Sequence, residues 1–102
     1  VADLRAFLAQ HPDDGRAPDA RFLLGDAYRA QGRYAEAGAE FEAFLRQYPR
    51  HPRAPLALYR QGEARLLRGD QSGCGILRDA VSRYPDVREA ATARETLSAR
   101  CP

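Results

Sequence analysis

Apolar residues recur at spacings of three and four along most of the chain. Leu24, Ala27 and Tyr28 form one such stripe, and Tyr34, Ala37, Phe41, Phe44, Leu45 and Tyr48 form a second, broken from the first at Gly32. This period places the apolar side chains on one face of a helix rather than alternating across a strand, so the segment reads as a helix pair. Gly32 suits the left-handed residue that closes a helix, and Pro18 suits a first helical turn, where a missing N–H costs nothing. The same pattern predicts helices near 2 to 10, 18 to 31, 34 to 48, 55 to 68, 72 to 84 and 88 to 100.

The stops between helices repeat as well. Pro12, Pro49 and Pro85 are spaced by 37 and 36 residues, and Ala17, Ala54 and Ala90 each follow five residues later. "FLAQHP" at 7 to 12 matches "FLRQYP" at 44 to 49, and "APDARFLLGDAYRAQGRY" at 17 to 34 aligns without a gap on "APLALYRQGEARLLRGDQ" at 54 to 71. Gly25 pairs with Gly62 and Gly32 with Gly69. In "YPRHPRAP", Pro49 ends one helix, Pro52 stiffens the turn and Pro55 starts the next helix, so adjacent helices cannot fuse into one rod.

A repeating helix pair implies a stacked array. Residues 17–49 and 54–85 are expected to form full repeats, and 1–12 the second helix of a truncated one. Leu4, Phe7 and Leu8 correspond to Phe41, Phe44 and Leu45, so the apolar face of this half-repeat is expected to be covered by an N-terminal continuation or by another chain. Residues 87–100 stand where a third first-helix belongs, and Arg94, Glu95 and Ser98 give it the polarity of a solvating cap.

At 102 residues the chain holds one small domain. The hydrophobic fraction of 44% and charged fraction of 29% argue against disorder. The 16 basic residues are all Arg and, with 14 acidic ones, are spread along the chain without a basic block, which disfavours a nucleic-acid partner. No apolar run reaches the length of a membrane span, and no charged-then-apolar leader opens the sequence.

Catalytic chemistry has little to stand on. His11 and His51 lie beside Pro12 and Pro52 in equivalent joints and read as exposed turn residues. "GDQSGCG" at 69 to 75 lacks the lysine of a phosphate-binding loop, and its Gly73 and Gly75 are expected to weaken the helix that follows. No nucleophile–base pair, cofactor motif or metal-ligand cluster is visible. Cys74 and Cys101 lack zinc-site spacing, but an antiparallel hairpin of the last two helices about Asp86 and Val87 brings them near each other. A disulfide there would imply an oxidising compartment; the alternative is a pair of free thiols, with Cys74 filling a small core position.

Gly25, Tyr28, Gly32, Tyr34, Ala37, Phe41 and Pro49 stand at the spacing of the tetratricopeptide (TPR) consensus, and Leu24 also fits. The chain therefore resembles a TPR protein, although Arg21 replaces the consensus Trp and the second copy loses a residue before Leu77. The resemblance implies an all-α, right-handed solenoid of antiparallel helix pairs and a non-catalytic protein-binding role. The longer period, the "YPRHPRAP" joint and "ALYRQGEA" at 57 to 64 more narrowly resemble the C-terminal TPR domain of the CpoB/YbgF family, periplasmic coordinators of the Tol-Pal system. That resemblance implies a periplasmic scaffold linking outer-membrane constriction to septal peptidoglycan synthesis, with TolA or a peptidoglycan synthase complex as partner. BamD-like outer-membrane assembly lipoproteins share such joints, and a TPR appendage of a larger enzyme or signalling protein is a further alternative.

In stacked helix pairs the first helices line the concave face, which nominates Phe22, Asp26 and Arg29 together with their equivalents Tyr59, Glu63 and Leu66. Such an aromatic-plus-carboxylate stripe would grip a peptide carrying basic residues. The alternative is that Phe22 and Tyr59 pack between repeats while the acids are simply solvated.

Overall fold

The computed structural model describes residues 1–102 and contains six helices and no strand. They are α1 (Ala2–Gln10), α2 (Ala17–Ala30), α3 (Tyr34–Gln47), α4 (Ala54–Leu67), α5 (Ser72–Arg83) and α6 (Glu89–Arg100), each within one residue of its expected bounds. Each helix packs on the next in sequence, and α4 also touches α6. The body is elongated, 43 × 26 × 18 Å, as a short stack should be.

The two kinds of turn alternate and each is conformationally uniform. Within a repeat, Gly32 and Gly69 adopt φ of 74° and 87°. The Arg33 N–H donates to Tyr28 O and the Gly32 N–H to Arg29 O, while Asp70 and Gly69 donate equivalently to Arg65 O and Leu66 O, closing both helices in the same left-handed cap. Between repeats, His11, Tyr48 and Tyr84 each precede a proline and leave their helices at φ/ψ of −134/58°, −131/59° and −133/63°. The following ring disfavours the helical conformation at that residue, and the chain turns there. Ala17, Ala54 and Ala90 then donate to the carbonyls of Asp14, His51 and Val87 at 2.9, 2.9 and 3.1 Å. All three alanines are almost wholly buried, which explains why a small residue recurs where the next helix starts.

A side chain reinforces the first two joints. The Arg16 N–H donates to Asp14 Oδ1 at 2.8 Å, and the equivalent Arg53 N–H donates to His51 Nδ1 at 3.0 Å. His51 is therefore the counterpart of Asp14, and it is half-buried against the Phe44 ring, 5.2 Å between centroids, rather than an exposed turn residue. The side-chain hydrogen bond from Arg16, followed by its backbone N–H, holds the Asp14 carboxyl at about 2. A depressed carboxyl supports the fold above its unfolded pKa and loses that support as pH falls through the folded one. Carboxyl titration by NMR is accordingly expected to show Asp14 titrating near 2, with the joint loosening between about pH 4 and that value.

Two apolar clusters lie along the stack. The first centres on Phe41 and Phe44, both fully buried, with Phe22 edge-on to them at 5.4 and 5.7 Å. Leu8 is buried in this cluster and Leu4 and Phe7 pack against it. The apolar side chains of α1 thus pack on the repeat that follows, with Leu4 and Phe7 partly buried. The second cluster joins Leu58, Tyr59, Leu66, Leu77 and Ala80 to Ala90 and Ala93 of α6.

Repeat equivalence survives the one-residue deletion. A Cβ on Gly25 would lie 2.9 Å from the Phe41 ring, and one on Gly62 would lie 2.7 Å from Leu77, so Leu77 takes the place of Phe41. At the start of α5 the approach is closer still: a Cβ on Gly73 would meet Gly62 O at 2.6 Å. Gly73 is needed for this contact and is not merely a weak helix former. Gly38 faces Ala64 across α3 and α4; Cys74 takes the position of Gly38, and Cys101 lies one residue beyond that of Ala64. Their Cα atoms are 5.8 Å apart and their sulfurs within bonding distance. The cysteine pair therefore sits where one repeat meets the first helix of the next.

Candidate functional site

Of the six residues nominated for the concave face, three are core. Phe22 is 2% exposed, wedged among Phe41, Phe44 and the Arg53 guanidinium 5.0 Å over its ring. Tyr59 is 4% exposed, and its hydroxyl reaches Tyr84 O at 2.8 Å and Ala80 O at 3.1 Å at the end of α5. Burial raises the Tyr59 pKa, keeping the phenol as the donor that these carbonyls need. Leu66 is 3% exposed. The correction has one cause: each subsequent element covers the helix face that sequence spacing alone presents as outward.

Tyr59 thus acts in folding, by joining α4 to the last turn of α5. Tyr59→Phe is expected to lower stability by about 1 kcal/mol, since the ring remains and a buried hydrogen bond is lost. Urea denaturation monitored by circular dichroism checks this, and an unchanged midpoint would refute it.

Asp26, Arg29 and Glu63 do reach the surface, but they are occupied with one another and with Arg60. Arg29 Nε donates to Glu63 Oε1, and Arg60 Nε lies 3.7 Å from Asp26 Oδ1 and its Nη1 3.9 Å from Glu63 Oε1. This ladder ties α2 to α4 across successive repeats. Its members are about a third exposed, so each pair adds little stability. Its effect on recognition is larger, because it leaves few free charges between these two helices.

Beyond the ladder, α4 and α6 diverge and leave a groove of about 430 Å³. Tyr59, Leu66 and Leu77 form its apolar floor and Leu67, 41% exposed, its apolar lip. Arg29, Arg60 and Glu63 stand along one side. The opposite wall is the face of α6 that carries Glu89, Thr92, Ala93, Thr96 and Arg100. Arg94, Glu95 and Ser98, the residues expected to solvate this helix, are exposed, and a different face of α6 walls the groove. In the register set by Ala17, Ala54 and Ala90, Thr96 falls at the position of Leu23 and Arg60 and Arg100 at that of Ala27 and Ala64, so repeat position alone does not mark this face.

Small polar residues at these positions are what hold the groove open, since a large aromatic at Thr96 would fill it. The result is a concave trough with an apolar floor and polar, largely charged walls, suited to a partner's side chains. No group of three or more His, Cys, Asp or Glu side chains converges anywhere in the chain. No helix is long and apolar enough to cross a membrane.

A family model described as tetratricopeptide repeat matches residues 1–52, and a second of the same description matches residues 56–86. No curated protein matches the chain.

Proposed function

Because this chain belongs to the tetratricopeptide repeat family, we propose that it is a non-catalytic scaffold of a bacterial cell envelope, binding a protein segment in the groove between α4 and α6. Repeats of this family typically serve protein–protein interaction, and the coarse assignment follows from membership. The observation that carries the site is the contrast along the concave surface: α2 and α4 are laced together by ion pairs, while α4 and α6 leave an apolar floor open.

The envelope assignment is supported by the cysteine pair, whose geometry suits a disulfide and hence an oxidising compartment. The "YPRHPRAP" joint and "ALYRQGEA" support a CpoB/YbgF-like role in the periplasm, coordinating Tol-Pal constriction with peptidoglycan synthesis through TolA or a synthase complex.

Affinity purification from envelope extracts, with the wild-type domain and Thr92→Trp as paired baits, tests this reading. Thr92 is exposed on the groove wall, so the bulky ring blocks the trough without disturbing the core. Recovery of TolA or a peptidoglycan synthase by the wild type and its loss with Thr92→Trp is the expected result. Recovery of outer-membrane assembly components instead would overturn the Tol-Pal role in favour of a BamD-like one, and recovery indifferent to Thr92→Trp would overturn the groove.

A further inference from the structure

Two charges in the groove have no counter-charge. Glu89, at the first turn of α6, makes no ion pair, and its Oε2 is shielded from water without a hydrogen-bond donor. Arg100, in the last turn, has no carboxylate partner; its Nη2 reaches only Leu66 O, at 3.5 Å. On the facing side Arg29, Arg60 and Glu63 lie within ion-pair distance of one another or of Asp26, although Arg60 Nε and Asp26 Oδ1 are likewise shielded without a hydrogen bond. An occluded carboxylate without a donor is an unfavourable arrangement that an incoming cation would relieve.

Resting on the groove reading above, we propose that the occupant is an extended segment of a partner protein carrying a basic and an acidic side chain about five residues apart, with an apolar residue between them. The basic side chain pairs with Glu89, the acidic one with Arg100, and the apolar one lies on Tyr59, Leu66 and Leu67. The spacing follows from the helix. Eleven residues separate Glu89 from Arg100, a rise of about 16 Å, which an extended chain covers in about five residues. The charges thus supply direction and register, and the floor supplies contact area.

Fluorescence anisotropy with three labelled, end-blocked peptides tests the proposal. All share central leucines, and their outer residues, about five positions apart, are Lys and Glu, Lys and Lys, or Glu and Glu. The mixed peptide is expected to bind about tenfold more tightly than either like-charged one. Glu89→Lys is expected to transfer the preference to the Glu/Glu peptide and Arg100→Glu to the Lys/Lys peptide. Charges that only complement the dipole of α6 would change the melting temperature of these variants but leave the preference unmoved. Equal affinities, no measurable binding of any peptide, or a preference that survives both reversals would overturn the proposal. The blocked variant separates the two readings: partner capture lost with Thr92→Trp but unaffected by Glu89→Lys removes the charge register alone, whereas capture that survives Thr92→Trp removes the groove with it.

Discussion

Replacing Cys101 by Ser is expected to lower the stability of the oxidised domain by about 3.5 kcal/mol and to release α6 first. The size follows from the 27-residue separation of the paired cysteines, whose closure restricts the unfolded chain by about that amount. The location follows from how little else holds the helix. α6 buries only Ala90 and Ala93, with Val87, Leu97 and Cys101 partly covered. Alanines bring small apolar areas, so without the covalent tie the end of α6 depends on few contacts. Hydrogen exchange should therefore show protection lost across Glu89–Arg100 while α2 and α3 keep theirs. Reduction of the wild type should reproduce the change and raise the denatured mass by a pair of hydrogens. Wild-type protein from an oxidising compartment whose mass does not move on reduction would overturn both the bond and the compartment it supports.

A disulfide at this cysteine pair would also have a functional consequence. α6 supplies one wall of the groove, so a variant that frees α6 should also weaken peptide binding, although neither cysteine lies on the apolar floor. Stability and recognition meet because the last helix both ends the stack and takes the place of another repeat's first helix. Where the preceding repeat meets its neighbour through Gly38 and Ala64, here Cys74 stands at the Gly38 position and faces Cys101, one residue beyond the Ala64 position.

The repeat register was legible because it rests on local chemistry. A residue before proline is disfavoured from continuing a helix, and glycine takes positive φ without strain, largely whatever surrounds them. Joints at Pro12, Pro49 and Pro85 and caps at Gly32 and Gly69 could thus be placed from the chain alone, and the helices with them. The surface was less legible. Phe22 and Tyr59 fall on the expected stripe of α2 and α4, but whether that stripe meets solvent depends on how the following helices are tilted, which spacing does not encode. The groove was hidden for the opposite reason: the polar residues of α6 resemble those of any solvated helix, and only the placement of α6 beside α4 shows that Glu89, Thr92, Thr96 and Arg100 face a groove.

Gly73 and Gly75 offer the sharpest test of this packing, because propensity alone treats them alike. Both lie inside α5, and either changed to Ala should gain up to about 1 kcal/mol from reduced backbone entropy in the unfolded chain. Their surroundings set them apart. A Cβ on Gly75 meets nothing within 4 Å, so Gly75→Ala is expected to stabilise by about 0.5 to 1 kcal/mol. A Cβ on Gly73 would lie 2.6 Å from Gly62 O and 3.0 Å from Leu66 N, both backbone atoms of α4 that no rotamer change can move. Gly73→Ala must push the two helices apart, and is expected to cost about 1 to 3 kcal/mol net of the propensity gain. The equivalent position in the preceding repeat is Ala37, fully buried, so α3 tolerates there the methyl group that α5 cannot. Urea midpoints of the two single variants should move in opposite directions. Stabilisation by both would show that α5 can stand off from α4 without loss, and with it that the floor formed by Leu66 and Leu77 is not fixed by this contact.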